Sequence, residues 1–292
     1  MTRYRSRRRA RTGAAQWIGV AIVAALAVVV LVLALVALDR GTGDEHPEGT
    51  ASTPIEAEPS PSGEPSAEPT PTATPLEPVE RAQERFLAEG SEGVLWRAVA
   101  GSCAEGIAPV IERSTDGGLT WNDVTPLYRD IRQVAALSPL AGTQAEVVAS
   151  LGDDCETQLM RTFTQGRFWE PYPDELAAAS YIEPADAATV VLGGEPVAAP
   201  CAQARSLAAQ EGTAALVCDA EVFTWDGADW AAAGIADAVA VTLADSVPVA
   251  VTRAPGCGGL QVGSTCTPAD PAAPTAASAS LLWNADALIP LG

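Results

Sequence analysis

A glycine followed three residues later by a tryptophan recurs at Gly118/Trp121, Gly166/Trp169 and Gly227/Trp230, at intervals of 48 and 61 residues. The fullest copy reads Ser114-Thr115-Asp116-Gly117-Gly118-Leu119-Thr120-Trp121. A carboxylate such as that of Asp116 accepts hydrogen bonds from turn amides, and Ser114 adds a weaker acceptor. Gly117 and Gly118 tolerate positive φ, and Trp121 can fold over the hairpin. Thr162–Trp169 and Phe223–Trp230 keep the Gly and Trp in eroded surroundings. A hairpin turn repeated at this interval constrains the chain to a series of small antiparallel sheets.

The sequence between the turns agrees. Short apolar or alternating runs fill Val94–Ala100, Pro109–Arg113, Val134–Leu137, Glu146–Leu151, Leu159–Phe163, Thr189–Leu192, Ala214–Cys218, Val222–Trp225, Val239–Leu243, Val247–Thr252 and Leu281–Trp283. Gly, Pro, Asp and Asn separate them, the pattern of an all-β domain. Short helices are expected at 79–89, where Val79, Ala82, Phe86 and Leu87 share a face, and at the Ala-rich stretches 175–180 and 203–210. A cysteine precedes each repeated Trp (Cys103, Cys155 and Cys218), and a fourth unit, Val239–Cys266, lacks the Gly-x-x-Trp.

Ser114, Asp116, Gly118 and Trp121 stand where the Asp-box, S-x-D-x-G-x-T-W, has its marked residues, and the segment resembles that motif of sialidase-type (BNR-type) β-propellers. Gly166, Trp169, Gly227 and Trp230 mark degenerate repeats. The resemblance covers residues 90–270 and implies a β-propeller in which the motif is structural and set away from any catalytic face. The repeat intervals and the chain length imply a small or incomplete propeller of about four to five blades. An irregular β-sandwich stays open beside it.

Trp17–Leu38 is an uninterrupted run of 22 uncharged residues, preceded by six arginines and no acid. As a helix it spans roughly 33 Å, enough to cross a bilayer. Arginine flanks stay cytoplasmic, so 1–16 is a basic cytoplasmic tail, 17–38 a transmembrane signal-anchor helix, and the rest extracytoplasmic. A cleaved signal peptide would have a shorter apolar core and a small-residue cleavage site. Residues 39–78 form a Pro/Ser/Thr/Glu-rich disordered linker; 41–78 alone holds nine prolines. The all-β domain occupies 79–292.

The formal charge is −20, and residues 81–292 carry 27 acids against ten arginines. That exterior argues against nucleic acid and polyanionic partners. Lysine is absent and alanine abundant, a composition that resembles actinobacterial proteins. The six cysteines (Cys103, Cys155, Cys201, Cys218, Cys257, Cys266) all follow the span. An even count outside the membrane reads as disulfides. Zinc would need His partners or Cys-x-x-Cys, and the one histidine, His46, lies in the linker. Spacing favours Cys257–Cys266 and Cys201–Cys218, leaving Cys103–Cys155.

No catalytic set stands out. Sialidase-type enzymes use an arginine cluster, a Tyr nucleophile with a Glu, and an Asp acid. None of the ten arginines here sits in a recognisable motif, and Tyr128, Tyr172 and Tyr181 have no identifiable partners. Gly152-Asp153-Asp154 reads as a turn rather than an acid–base pair. No phosphate loop or calcium loop is present. Trp96, Phe168, Trp169, Tyr172, Trp225 and Trp283 are candidates for a ligand surface, with core packing their commoner use. The expectation is a membrane-anchored binding or scaffolding module with a protein or cell-wall partner, no cofactor, no metal and no catalysis. The alternatives are a tethered glycoside hydrolase and an assembly factor for a membrane complex.

Overall fold

The computed structural model describes residues 79–210 and 212–291. The basic tail, the Trp17–Leu38 span and the linker lie outside the described residues, so the anchor and linker expectations are untouched by it. Among the described residues no helix is long and apolar enough to cross a membrane.

Six antiparallel sheets follow one another along the chain. The first contains β1 (Arg85–Glu89), β2 (Leu95–Val99), β3 (Val110–Ser114) and β4 (Asn122–Asp123); the second β5 (Ile131–Ala141), β6 (Gln144–Leu151), β7 (Glu156–Thr162) and β8 (Trp169–Pro171). After a one-turn helix α1 (Pro173–Leu176), the third has only β9 (Tyr181–Ile182), β10 (Thr189–Leu192) and β11 (Glu195–Ala198). The fourth has β12 (Arg205–Gln210), β13 (Thr213–Cys218), β14 (Glu221–Trp225) and β15 (Trp230–Ala232). The fifth has β16 (Ala238–Ala244), β17 (Val247–Thr252), β18 (Leu260–Val262) and β19 (Thr265–Thr267), and the sixth β20 (Thr275–Ala277), β21 (Leu281–Asn284) and β22 (Ala287–Pro290).

The leading strand of each sheet packs against the leading strands of its two neighbours, in the order β1, β5, β9, β12, β16, β20 and back to β1. The sheets are therefore blades of a closed six-bladed β-propeller. The expected four to five blades, and the sandwich left open beside them, are corrected by this ring. The count rose because blades three and six are three-stranded and occupy only 181–198 and 275–290. They also lack the Gly-x-x-Trp turn, so nothing local marks them.

Each interface between neighbouring blades has its own buried cluster. Trp96 and Ile111 of blade one meet Val147, Met160 and Trp169 of blade two. Val148 and Leu159 meet Tyr181 and Val191, and Ile182 and Val190 meet Leu216. Val217 and Val222 meet Val241, Val251 and Leu260 meet Leu282, and Trp283 and Ala276 meet Leu87. Successive residues of a strand point to opposite faces. So Leu216 and Val217, or Val147 and Val148, serve different interfaces. Both faces of a blade's middle strand are buried, which is why β13 reads as an apolar run from Ala214 to Cys218 and β6 as one interrupted only at Glu146 and Ser150 between Ala145 and Leu151.

Two expected helices are strands. Arg81–Gln83 is a single 3-10 turn, and Arg85–Glu89 is β1. Residues 205–210 form β12. In both, pairing on the ring overrides weak propensity. Only Pro173–Leu176 is helical near the third predicted helix, and it ends before the Ala177–Ser180 stretch.

Candidate binding faces

In the Ser114–Trp121 turn, the Ser114 hydroxyl donates to Asp116 Oδ1 (2.8 Å) and accepts from the Gly118 N–H (2.8 Å). Asp116 accepts from the Thr120 N–H (2.9 Å) and hydroxyl (2.6 Å). These Thr120 bonds first, then that from Ser114, hold the Asp116 carboxyl down to about 2. Blade two repeats the geometry with different side chains. Thr162 Oγ1 accepts from the Gly166 N–H (3.0 Å), and Thr164 Oγ1, in the place of Asp116, accepts from the Phe168 N–H (2.9 Å).

The glycines have a packing reason as well as a conformational one. Gly118 (φ +90°) would drive a Cβ to 2.4 Å from Leu288 Cδ2 of blade six. Gly166 (φ +86°) would place one 2.5 Å from Val124 Cβ, beside blade one. Each turn thus docks onto the preceding blade. Gly227 has no such neighbour. Trp230 pairs with Trp225, whereas Trp169 pairs with Thr162, so the third copy is a tighter loop closed by Asp226, which accepts from Ala228 and Asp229 amides. The equal Gly-x-x-Trp spacing therefore hides two different turns.

The six cysteines form Cys103–Cys155, Cys201–Cys218 and Cys257–Cys266. The first ties the β2–β3 loop of blade one to the β6–β7 turn of blade two, the second joins the segment before blade four to β13, and the third lies within blade five. Of the aromatic candidates, Trp96, Trp169 and Trp283 are buried. Trp96 and Trp169 meet edge-to-face at 6.1 Å. Phe168 is exposed, Tyr172 packs by Phe163 beside Arg161, and Trp225 stands 5.3 Å from Trp230. Asp153 lies in an exposed turn and pairs with Arg132 at 2.9 Å. Among the described residues no three His, Cys, Asp or Glu side chains are grouped to hold a metal.

A cavity of about 1060 Å³ occupies the ring axis. Its walls come from the leading strands: Phe86, Leu87, Ala135, Leu207, Ala208, Val241 and Ala276. It widens where those strands finish, at Glu89, Pro139, Gln210 and Leu243, with Ser180, Gly193 and Trp225 completing the rim. Ala135, Ala136, Ala208 and Ala276 are the small side chains among these walls. The rim acids are engaged. Burial raises the Glu89 carboxyl, but hydrogen bonds from Ser278 and Ser280 outweigh it and hold the group below its usual range. Glu146 and Glu175 both pair with Arg161. Burial, helped by Glu183, pushes the Tyr181 phenol up.

The other end of the axis is a crevice of about 40 Å³ lined by Arg81, Glu84, Arg85, Arg205, Arg253 and Val79, among others. Local sequence gave no sign of it, because the four arginines come from blades one, four and five and meet only through ring closure. Arg85 and Ser206 line both spaces. Blade three is inverted relative to its neighbours. Its β9 ends here, with the Glu183 carbonyl accepting from Arg81 and its carboxylate from Thr157 at the start of β7.

No family model and no curated protein matches the chain. Among solved structures it is similar to "YCF48 bound to D1 peptide", with 13% identity, a TM-score of 0.36, and 65% of this chain aligned to 66% of that one. It is also similar to YCF48 from Cyanidioschyzon merolae, with 14% identity, a TM-score of 0.25, and 68% aligned to 65%. The chain thus spans just under two thirds of each. The ring of sheets, rather than these similarities, carries the fold assignment.

Proposed function

We propose that the chain is a membrane-tethered, extracytoplasmic binding module. Trp17–Leu38 anchors it, residues 39–78 hold the propeller off the bilayer, and the wide mouth engages a protein or cell-wall partner without catalysis. The observation that carries this reading is the preformed axial cavity of about 1060 Å³. Ligand sites favour concave, preformed spaces, and this one carries polar side chains such as Ser180, Gln210 and Thr242 beside its apolar walls. Three disulfides fit an oxidising compartment, and the two matching turns in blades one and two support an Asp-box lineage.

The hydrolase alternative is less well supported. It wants a tyrosine nucleophile beside the arginines, yet no described tyrosine lines the arginine crevice, and Tyr181 lines the wide cavity instead. The test is retention of envelope components by the full chain in detergent. Trp225→Ala is expected to reduce retention of a stoichiometric partner at least tenfold with the fold intact. Equal retention, or turnover of fluorogenic glycosides by the wild-type chain, contradicts the proposal.

A further inference from the structure

We infer that the narrow end of the propeller axis, opposite the wide mouth, is an oxyanion-binding site in which Arg81, Arg205 and Arg253 receive one carboxylate or phosphoryl group, while Arg85 is held at its edge on Trp283 and the Ala285 carbonyl. The first ground is where the charge sits. Residues 81–292 hold 27 acids and ten arginines, yet four of those arginines line one crevice with Glu84 as its only carboxylate. Like charges gathered in this way repel unless something opposes them.

The second ground is pairing. Among the described residues, Arg97, Arg132 and Arg161 have a carboxylate within ion-pair distance. None of the four crevice arginines does, nor do Arg113, Arg129 and Arg167, but the crevice gathers its unpaired arginines in one place. Glu84 acts on Arg205 at longer range than an ion pair, and Asp219, Asp237, Asp286 and Asp186 act on Arg205, Arg253, Arg85 and Arg81 from further away. Glu84 is itself occupied, accepting from the Ser206 N–H at 2.8 Å.

The third ground is geometry. The guanidinia are fixed by backbone carbonyls rather than free to swing out. Arg81 donates to Ala204 O (3.2 Å) and Glu183 O (3.5 Å), Arg205 to Val79 O (3.3 Å), Arg253 to Pro271 O (3.0 Å), and Arg85 to Ala285 O. A guanidinium has five N–H donors in a planar fork, so most remain to be used. Burial weakens the hold of Arg85, Arg205 and Arg253 on their protons, which reports partial loss of water around them. Fixed, partly dehydrated forks match an oxyanion bidentately. A space of about 40 Å³ admits one such group and not a sugar ring.

The test uses the full chain in detergent, with acetate and phosphate as separate probes against sodium chloride at matched ionic strength. The readout is the rise in unfolding temperature with probe concentration. At least one probe is expected to give a saturable rise, and which one identifies the group as carboxylate or phosphoryl. Arg253→Gln should weaken the response at least fivefold and Arg167→Gln, on an exposed turn, should leave it unchanged. Glu84→Gln keeps an acceptor for Ser206 and removes the competing charge, so it should strengthen the response at least twofold. That arm stands even if Arg253→Gln fails to fold. A rise no greater than chloride gives for both probes, or responses indifferent to Arg253→Gln and Glu84→Gln, overturns the inference.

Discussion

Asp116 and Thr164 occupy the same place in two blades, and the contrast shows what one carboxylate adds. Thr164 offers one oxygen to the Phe168 amide, while Asp116 offers two to Thr120. The ordinary Asp value is 3.8, and the folded value is about 2. A depressed folded pKa gives stability that is present above the unfolded value and is lost as pH falls through the folded one. Asp116→Asn should therefore lower the unfolding temperature at pH 7, with the gap to wild type closing between about pH 4 and pH 2. Thermal scans across that range check it; a constant gap would remove the charge from the turn's role. This turn was legible in the sequence because its partners all lie within Ser114–Trp121. The arginine crevice was not, because residues 81, 85, 205 and 253 meet only in the closed ring.

Blades differ in how they are stapled, and sequence separation predicts the ranking. Cys103–Cys155 closes 52 residues and joins two blades, while Cys257–Cys266 closes nine within one. Loop-closure entropy favours the longer by about 1.5 kcal/mol. Replacing the first pair by serine should destabilise the chain more than replacing the last, as read from denaturant midpoints. Equal losses would count against the chain-entropy account. Alkylation of the unreduced, unfolded chain should label no cysteine. Strands with both faces buried, as in Glu146–Leu151 and Ala214–Cys218, are legible in the sequence. Arg85–Glu89 and Arg205–Gln210 are not, because these leading strands face the axis with one side, so Ala and charged residues dilute the pattern. Blades three and six leave little local trace because β9 and β20 are two and three residues long.

The whole ring closes without a strand shared between its ends, since blade one comes from the start of the domain and blade six from its finish. Side chains make the seam. Ser280 donates its N–H (2.9 Å) and hydroxyl (2.7 Å) to Glu89, and Leu87, Ala276 and Trp283 form the smallest of the buried clusters. Arg97 lies between Trp121 (4.0 Å) and Trp283 (4.7 Å), with Arg85 on Trp283 at 4.2 Å. Cation–π contacts of this kind are worth about 0.5–2 kcal/mol each. Amides of β20–β22 should exchange with solvent before those of β5–β7, and Trp283→Ala should widen the difference while costing about 3–5 kcal/mol. Uniform exchange around the ring would contradict a side-chain seam.

The wide axial mouth of this closed ring is the surface we propose for a partner. A photo-crosslinking residue at Gln210, exposed on the mouth, tests it most directly against the same residue at Arg167 on an outer turn. With the full chain in the cells that make it, one discrete adduct is expected from position 210, lost in Trp225→Ala, and none from position 167. An adduct from position 167 with none from position 210 would contradict it.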